Sequence, residues 1–261
     1  MFVIPANAGI QKYEKFYVYI LCNKRNGKGV LFLMREFNQE EYNKFLIENR
    51  VIGFFEEPIT LKSGRISFWY ANCRDLLDRV GVMDKLTDFV LDFADEKGIS
   101  ADYFYGVPEG ATKLAVILNY KKGKLDNNEN QVLVIGRGKP KEHGDPKDKY
   151  FIGPTKEGDK VIVIEDVTTT GGSLIDTIKH LQESNVDIVA AIGLVNRMEK
   201  RDDGKSVEQV INELNVPYFA IGNSMVLLPL ARDVSKPSDC VLEEVEKYFI
   251  QYGIEPLKLK D

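Results

Sequence analysis

Residues 161–173 read Val161-Ile162-Val163-Ile164-Glu165-Asp166-Val167-Thr168-Thr169-Thr170-Gly171-Gly172-Ser173, and few folds accommodate that order of chemistry. Four consecutive β-branched residues make a strand of the kind buried on both faces. Two acids end it, and a loop of hydroxyls and glycines follows. Leu174, Ile178 and Leu181 then recur at helical spacing over Gly172–Glu183. A buried strand feeding directly into a helix belongs to a parallel sheet covered by helices, and such sheets bind ligands at the carboxyl ends of their strands. Gly171 and Gly172 let the backbone approach a ligand closely, and the new helix offers free N–H groups and the positive end of its dipole. With hydroxyls from Thr169, Thr170 and Ser173, this is a cradle for a phosphate monoester. Glu165 and Asp166 would repel that phosphate if they faced it. They suit the vicinal hydroxyls of a sugar such as ribose. A Walker A loop is excluded because no lysine follows the glycines, and a dinucleotide fingerprint is excluded for want of G-x-G-x-x-G.

The flanking sequence agrees with an alternating α/β chain. Asn38 is placed to cap a helix over 38–50, and residues 82–98 carry Val82, Leu86, Phe89, Val90 and Phe93 on one face, ended by Gly98. Strands are expected at Ile66–Asn72, Tyr103–Val107, Gln131–Ile135, Ile188–Val195 and Tyr218–Ile221, and helices at Gly110–Tyr120, Val207–Leu214 and Cys240–Tyr252, with a polar end after the last. Trp69 and the phenylalanines of 82–98 are expected in the core. Thirty-five basic residues against forty acidic ones leave a net charge of −5, which argues against a general nucleic-acid binder. No apolar run reaches membrane-spanning length. Cys22, Cys73 and Cys240 form neither a disulfide framework nor a zinc site, and the only histidines are His143 and His180. A reducing cytoplasm is the expected location. Residues 1–33 read differently: Phe16–Leu21 is a strand-like run, resembling the opening strand of GIY-YIG nucleases, with a turn at Asn23–Gly29 and no evident partner strand. They are expected to be an extension outside the core, so that a chain starting at Met34 would be folded and active. The domain itself is expected over 34–235, with 236–261 as a C-terminal helix and tail.

The 161–173 stretch closely resembles the phosphoribosyl-diphosphate (PRPP) motif of the type I phosphoribosyltransferases. The resemblance implies that Glu165 and Asp166 hold the ribose hydroxyls, and that Thr168, Thr169, Thr170, Gly171, Gly172 and Ser173 hold the 5-phosphate. Other segments resemble the orotate-specific members. Thr60-Leu61-Lys62-Ser63-Gly64-Arg65 with Ser67 resembles their N-terminal substrate segment; Lys62 would hold an anionic pyrimidine and Tyr70 border its ring. Read alone, the same residues are a surface turn before an edge strand.

Arg137-Gly138-Lys139-Pro140-Lys141-Glu142-His143-Gly144 lies in a long Gly- and Pro-containing connection of the kind that forms lids. Arg137, Lys139, Lys141 and His143 complement a leaving pyrophosphate; read alone, they are a solvated charge run. The segment resembles the family's Arg-Lys-x-x-Lys-x-His-Gly loop, with Gly138 in place of the first lysine and Lys139 one position later. Tyr105-Gly106-Val107 resembles the pyrophosphate loop, with Tyr105 where many members carry lysine; backbone N–H groups at Gly106 and Val107 would remain as donors. Arg197 stands where the family's orotate-carboxylate arginine stands, with Thr169 close to the base. The turn Lys200–Gly204 reads as solvated.

Together these imply an α/β type I phosphoribosyltransferase fold: a central parallel sheet flanked by helices, with a small N-terminal hood. The implied reaction is phosphoribosyl transfer from PRPP to orotate, with Lys141 and Asp166 at its centre. Mg²⁺ would be bound mainly through PRPP, with no all-protein metal site. A homodimer is implied, its catalytic loop shared across subunits. Transfer to a purine and a non-catalytic PRPP-binding regulator are the alternatives; Lys62 and Arg197 disfavour the first, because a purine offers no carboxylate.

Overall fold

Two cores lie on opposite sides of one sheet, because side chains alternate along strands buried on both faces. The structure, a computed structural model, describes residues 17–22, 29–34, 36–61, 63–139, 141–143 and 149–260, the first two segments as backbone. In chain order its elements are β1 (Tyr17–Cys22), β2 (Gly29–Met34), α1 (Gln39–Glu48), β3 (Ile52–Thr60), β4 (Ile66–Ala71), a 3-10 turn (Arg74–Leu77), α2 (Val80–Glu96), β5 (Tyr103–Gly106), α3 (Thr112–Leu125), β6 (Ile135–Gly136), β7 (Phe151–Ile152), β8 (Lys160–Thr168), α4 (Gly172–Gln182), β9 (Asp187–Asn196), α5 (Val207–Glu213), β10 (Tyr218–Asn223), α6 (Ser224–Ser235) and α7 (Asp239–Tyr252).

The central sheet is parallel, ordered β10-β9-β8-β5. Phe104, Ile162, Ile164, Ile192 and Ile221 face α1, α2, α3 and α6. Tyr103, Tyr105, Val161, Val163, Ile188 and Tyr218 face Leu174, Ile175 and Ile178 of α4 and Val207 and Ile211 of α5. The expected α/β architecture is therefore present. Asn38 caps α1, its side chain accepting from the Glu41 N–H at 3.1 Å.

The hood is the antiparallel β3–β4 hairpin. Strand β3 is hard to read locally because Pro58 and a pair of glutamates interrupt it; its register shifts between Phe54 and Ile59, the kind of irregularity that tolerates proline in an edge strand. Helix α6 is masked in the same way by Pro229. The hood rests on α7, with Trp69 stacked on Phe249 at 5.8 Å between ring centres. The last residues are not a polar end: Leu257 and Leu259 are buried in the same core, and Glu246 accepts from the Leu259 and Lys260 N–H groups.

Two further expectations need correction. The aromatic run near the N-terminus does have a partner, because β1 pairs with β2 antiparallel from Tyr17↔Met34 to Cys22↔Gly29. The strand expected over Gln131–Ile135 shrinks to β6, which pairs with β7 in a separate ribbon. Among the described residues no helix is long and apolar enough to cross a membrane.

Candidate active site

The cradle forms where β8 ends. Glu165 and Asp166 keep 7% and 9% of their surface exposed, so each carboxylate opens to solvent only at its edge. A Cβ on Gly110 would lie 2.5 Å from Asp166 Oδ2, so only glycine lets the turn after β5 reach that acid. Arg74, at the start of the 3-10 turn below the hood, points its Nε at Asp166 Oδ2 from 3.6 Å. Burial above all, and then the Asp166 carboxylate, raise the neighbouring Cys73 thiol well above its ordinary pKa.

Past the acids, the hydroxyl loop divides. Thr168 turns inward, its hydroxyl 2.6 Å from the Tyr218 hydroxyl and 3.4 Å from the Val195 carbonyl. Its hydroxyl therefore braces the sheet, where a contact to the 5-phosphate was expected. Thr169 and Thr170 are half-buried, while Gly172 and Ser173 are exposed. Gly171 enters α4 with φ of 70°, and a Cβ there would come within 2.9 Å of Val207 Cγ1, so glycine is required twice over. No side chain caps α4 and no acid stands in its first turn, which leaves the positive helix end facing the loop. Arg201 donates to the Thr170 carbonyl. The turn around it is thus a brace for the cradle and not merely solvated. Nothing local in Lys200–Gly204 signals this, since the contact joins loops from two strands.

The turn after β5 departs from expectation at Val107, while Tyr105 is taken up by packing. Tyr105 is buried in the α4-side core, donates its hydroxyl to the Tyr150 carbonyl at 3.0 Å, and packs edge-on against Phe151. Burial pushes its pKa up to about 12. Its side chain supports the ribbon and is not a substrate contact. The Val107 N–H is bonded to the Ile164 carbonyl at 2.8 Å, so it is not free for pyrophosphate. Gly106 remains a close-approach point, since a Cβ there would meet the Ala111 carbonyl at 2.2 Å.

The basic segment is a β-ribbon rooted on β6 and β7. Its backbone closes through Arg137 N–H to Tyr150 O at 3.0 Å and Lys141 N–H to Lys149 O at 2.9 Å. Arg137 also donates Nε to the Phe151 carbonyl at 3.1 Å, so part of its donor set stiffens the ribbon. Lys139, Lys141 and His143 are exposed; Pro140 and Gly144 lie outside the described residues. A side chain on Gly138 would stand 3.1 Å from Glu109 Oε1. At the root, Tyr150 stacks on His180 at 4.5 Å and donates its hydroxyl to Glu183 at 2.7 Å. His180 is therefore a packing residue.

Under the hood the picture is different again. Arg197 is 1% exposed. Its guanidinium lies 3.7 Å from the Trp69 ring centre and donates Nε to Glu199 at 2.6 Å. Both Nη atoms are buried without a hydrogen-bond partner. Glu199 also accepts from Arg65 Nη1 and the Tyr248 hydroxyl, each at 2.8 Å. Tyr70 is on the exposed face of β4, opposite Trp69, so Tyr70 and Arg197 are not brought together in this conformation. Lys62 lies outside the described residues.

A domain model for the phosphoribosyl transferase domain matches residues 95–225, which spans the turn after β5, the ribbon, the cradle and Arg197. Orotate phosphoribosyltransferase from Pyrococcus furiosus is 32% identical over 161 residues, covering 62% of this chain and 82% of that protein. The chain belongs to the phosphoribosyltransferase family, among its orotate phosphoribosyltransferases. The orotate phosphoribosyltransferase of Pyrococcus horikoshii is 34% identical over 62% of this chain and 81% of its own length. The crystal structure of the Francisella tularensis orotate phosphoribosyltransferase shares the fold, with a TM-score of 0.61 at 22% identity over 82% of this chain and 99% of that one. In this family member Arg74, Arg201 and the Glu199 cluster are the site-proximal residues that motif reading alone did not single out.

Proposed function

We propose that the chain transfers the phosphoribosyl group of PRPP to orotate, releasing pyrophosphate and forming orotidine 5′-monophosphate. One observation carries this: two barely exposed carboxylates and an uncapped helix N-terminus meet at the end of one buried parallel strand. Acids suit ribose hydroxyls, and the helix end suits the 5-phosphate. Orotate's ring nitrogen attacks the anomeric carbon as the bond to pyrophosphate breaks, so the protein's work is to align two reactants and to stabilise the charge on the leaving group. Lys141, with Lys139 and His143 on the exposed ribbon, supplies positive charge to that group, and closure of the ribbon excludes water that would hydrolyse PRPP.

Arg197 is assigned to the orotate carboxylate. Its two orphaned Nη donors support this, because a planar carboxylate would satisfy both at once. Their burial requires the hood hairpin to part from β9 as orotate enters. Mg²⁺ suits the hard carboxylate oxygens of Glu165 and Asp166, which would flank an ion carried largely on PRPP oxygens, where it would neutralise phosphate charge. A homodimer with the ribbon reaching the neighbouring site completes the proposal. Heterodimers of Lys141→Ala and Asp166→Asn chains should then recover activity above that of either homodimer.

The decisive assay follows orotate consumption with PRPP and Mg²⁺, with adenine, hypoxanthine and uracil as competing acceptors. Orotate-dependent release of pyrophosphate is expected. Preference for a purine, or PRPP binding with no transfer to any base, would overturn the assignment.

A further inference from the structure

Resting on the phosphoribosyl transfer proposed above, we propose that Arg74 is a substrate-binding residue that takes the pyrophosphate of PRPP. Three parts of the molecule converge on it. The 3-10 turn Arg74–Leu77, directly after hood strand β4, carries it. Asp166 faces it at 3.6 Å from the end of β8. Gly110, in the turn between β5 and α3, abuts the same carboxylate. Arg74 therefore stands at the junction of the sugar-binding acids and the turn that leads into α3. That helix has Ala111 as its N-cap, with no side-chain cap and no acid in its first turn, so its positive end adds to the field of the guanidinium.

The position of Arg74 is fixed, while its side chain is free to work. The Asn72 side chain accepts from the Arg74 N–H at 3.1 Å, the Asn72 N–H is bonded to the Val51 carbonyl at 2.8 Å, and Cys73, Leu76 and Leu77 are buried around it. The Arg74 side chain itself is 72% exposed. With most of its side chain in solvent and a single 3.6 Å contact to Asp166, the guanidinium is poorly explained by fold maintenance. A ligand explains it better. When ribose hydroxyls occupy Asp166, the guanidinium 3.6 Å away would give up that carboxylate and turn to the anionic groups of the same ligand. Tyr105 adds a reason. It stands on the strand entering the same turn, and its side chain is buried and bonded to the Tyr150 carbonyl. That position supplies no cation, and Arg74 brings one to the acid that the same turn abuts. Its planar fork suits two phosphate oxygens at once.

Arg74→Gln, Arg74→Lys and the unaltered enzyme test this. For each, KM for PRPP, KM for orotate and the inhibition constant of inorganic pyrophosphate are measured, with the melting temperature alongside. Losing a charge-assisted contact should raise KM for PRPP and the pyrophosphate inhibition constant about 10- to 100-fold. KM for orotate should stay within about twofold, and lysine should restore part of the loss because it keeps the charge without the fork. A rise confined to orotate would move Arg74 to the base and overturn the proposal. So would unchanged constants, or a fall in melting temperature with both KM values intact, which marks a structural residue. Failure of the unaltered enzyme to bind PRPP in calorimetry would instead overturn the phosphoribosyl-transfer function itself.

Discussion

Replacing Glu199 by glutamine perturbs one atom type at the most enclosed charged site of the described chain. The carboxylate is fully buried and accepts three hydrogen bonds, from Arg197 Nε at 2.6 Å, Arg65 Nη1 at 2.8 Å and the Tyr248 hydroxyl at 2.8 Å. Glutamine keeps the shape, but it removes the negative charge and turns an NH₂ toward a donor. Breaking a buried ion pair typically costs about 3–5 kcal/mol because the surviving charge is left uncompensated. Arg65 retains the Lys200 carbonyl and the Asp202 carboxylate, whereas Arg197 retains only the face of Trp69. The loss should therefore fall near the lower end, about 3–4 kcal/mol. In a domain of this size that is a drop in melting temperature of about 6–16 °C. Urea titration of Glu199→Gln beside Tyr248→Phe checks the value. The tyrosine variant, which leaves both arginines paired, should lose about 1–3 kcal/mol. Added salt should leave the glutamine effect largely in place, since buried pairs are poorly screened. A loss below about 1 kcal/mol, or one abolished by salt, would show that the cluster behaves as a surface network and would refute the reasoning.

Arg197→Ala should weaken orotate binding by about 1.5–3 kcal/mol while leaving PRPP binding nearly unchanged, as read by calorimetry with each ligand; an equal loss for both would assign Arg197 to the fold. Lys141→Ala should slow turnover about 10²–10³-fold with an unaltered melting temperature, and near-normal turnover would remove it from the chemistry. Gly171→Ala should destabilise by about 1–2 kcal/mol from its left-handed φ alone, with further loss from crowding against Val207 and a raised KM for PRPP; a variant as stable as the parent would mean that the loop relaxes freely.

What the sequence by itself determined was the cradle and the order of the elements around it. The apolar run Val161–Ile164, the acids after it and the glycines before α4 place the cradle, because a strand period, a left-handed glycine and a helix start are all written within a few neighbouring residues. The alternating order of strands and helices likewise follows from local periodicity, and with it the parallel sheet. What only the tertiary structure decided was the direction in which each side chain of those motifs points. Thr168 and Thr169 are adjacent in one motif, yet Thr168 is committed to Tyr218, 50 residues away. Tyr105 has its partner 45 residues away, and Arg65 meets Glu199 134 residues away. The N-terminal strand-like run has its partner in β2, which local composition does not advertise. A residue's identity limits which bonds it can make. Whether a threonine hydroxyl or an arginine fork meets substrate or its own sheet depends on which distant groups the fold brings within about 3 Å of it, and in this chain those groups come from β10, the ribbon and the segment after β9.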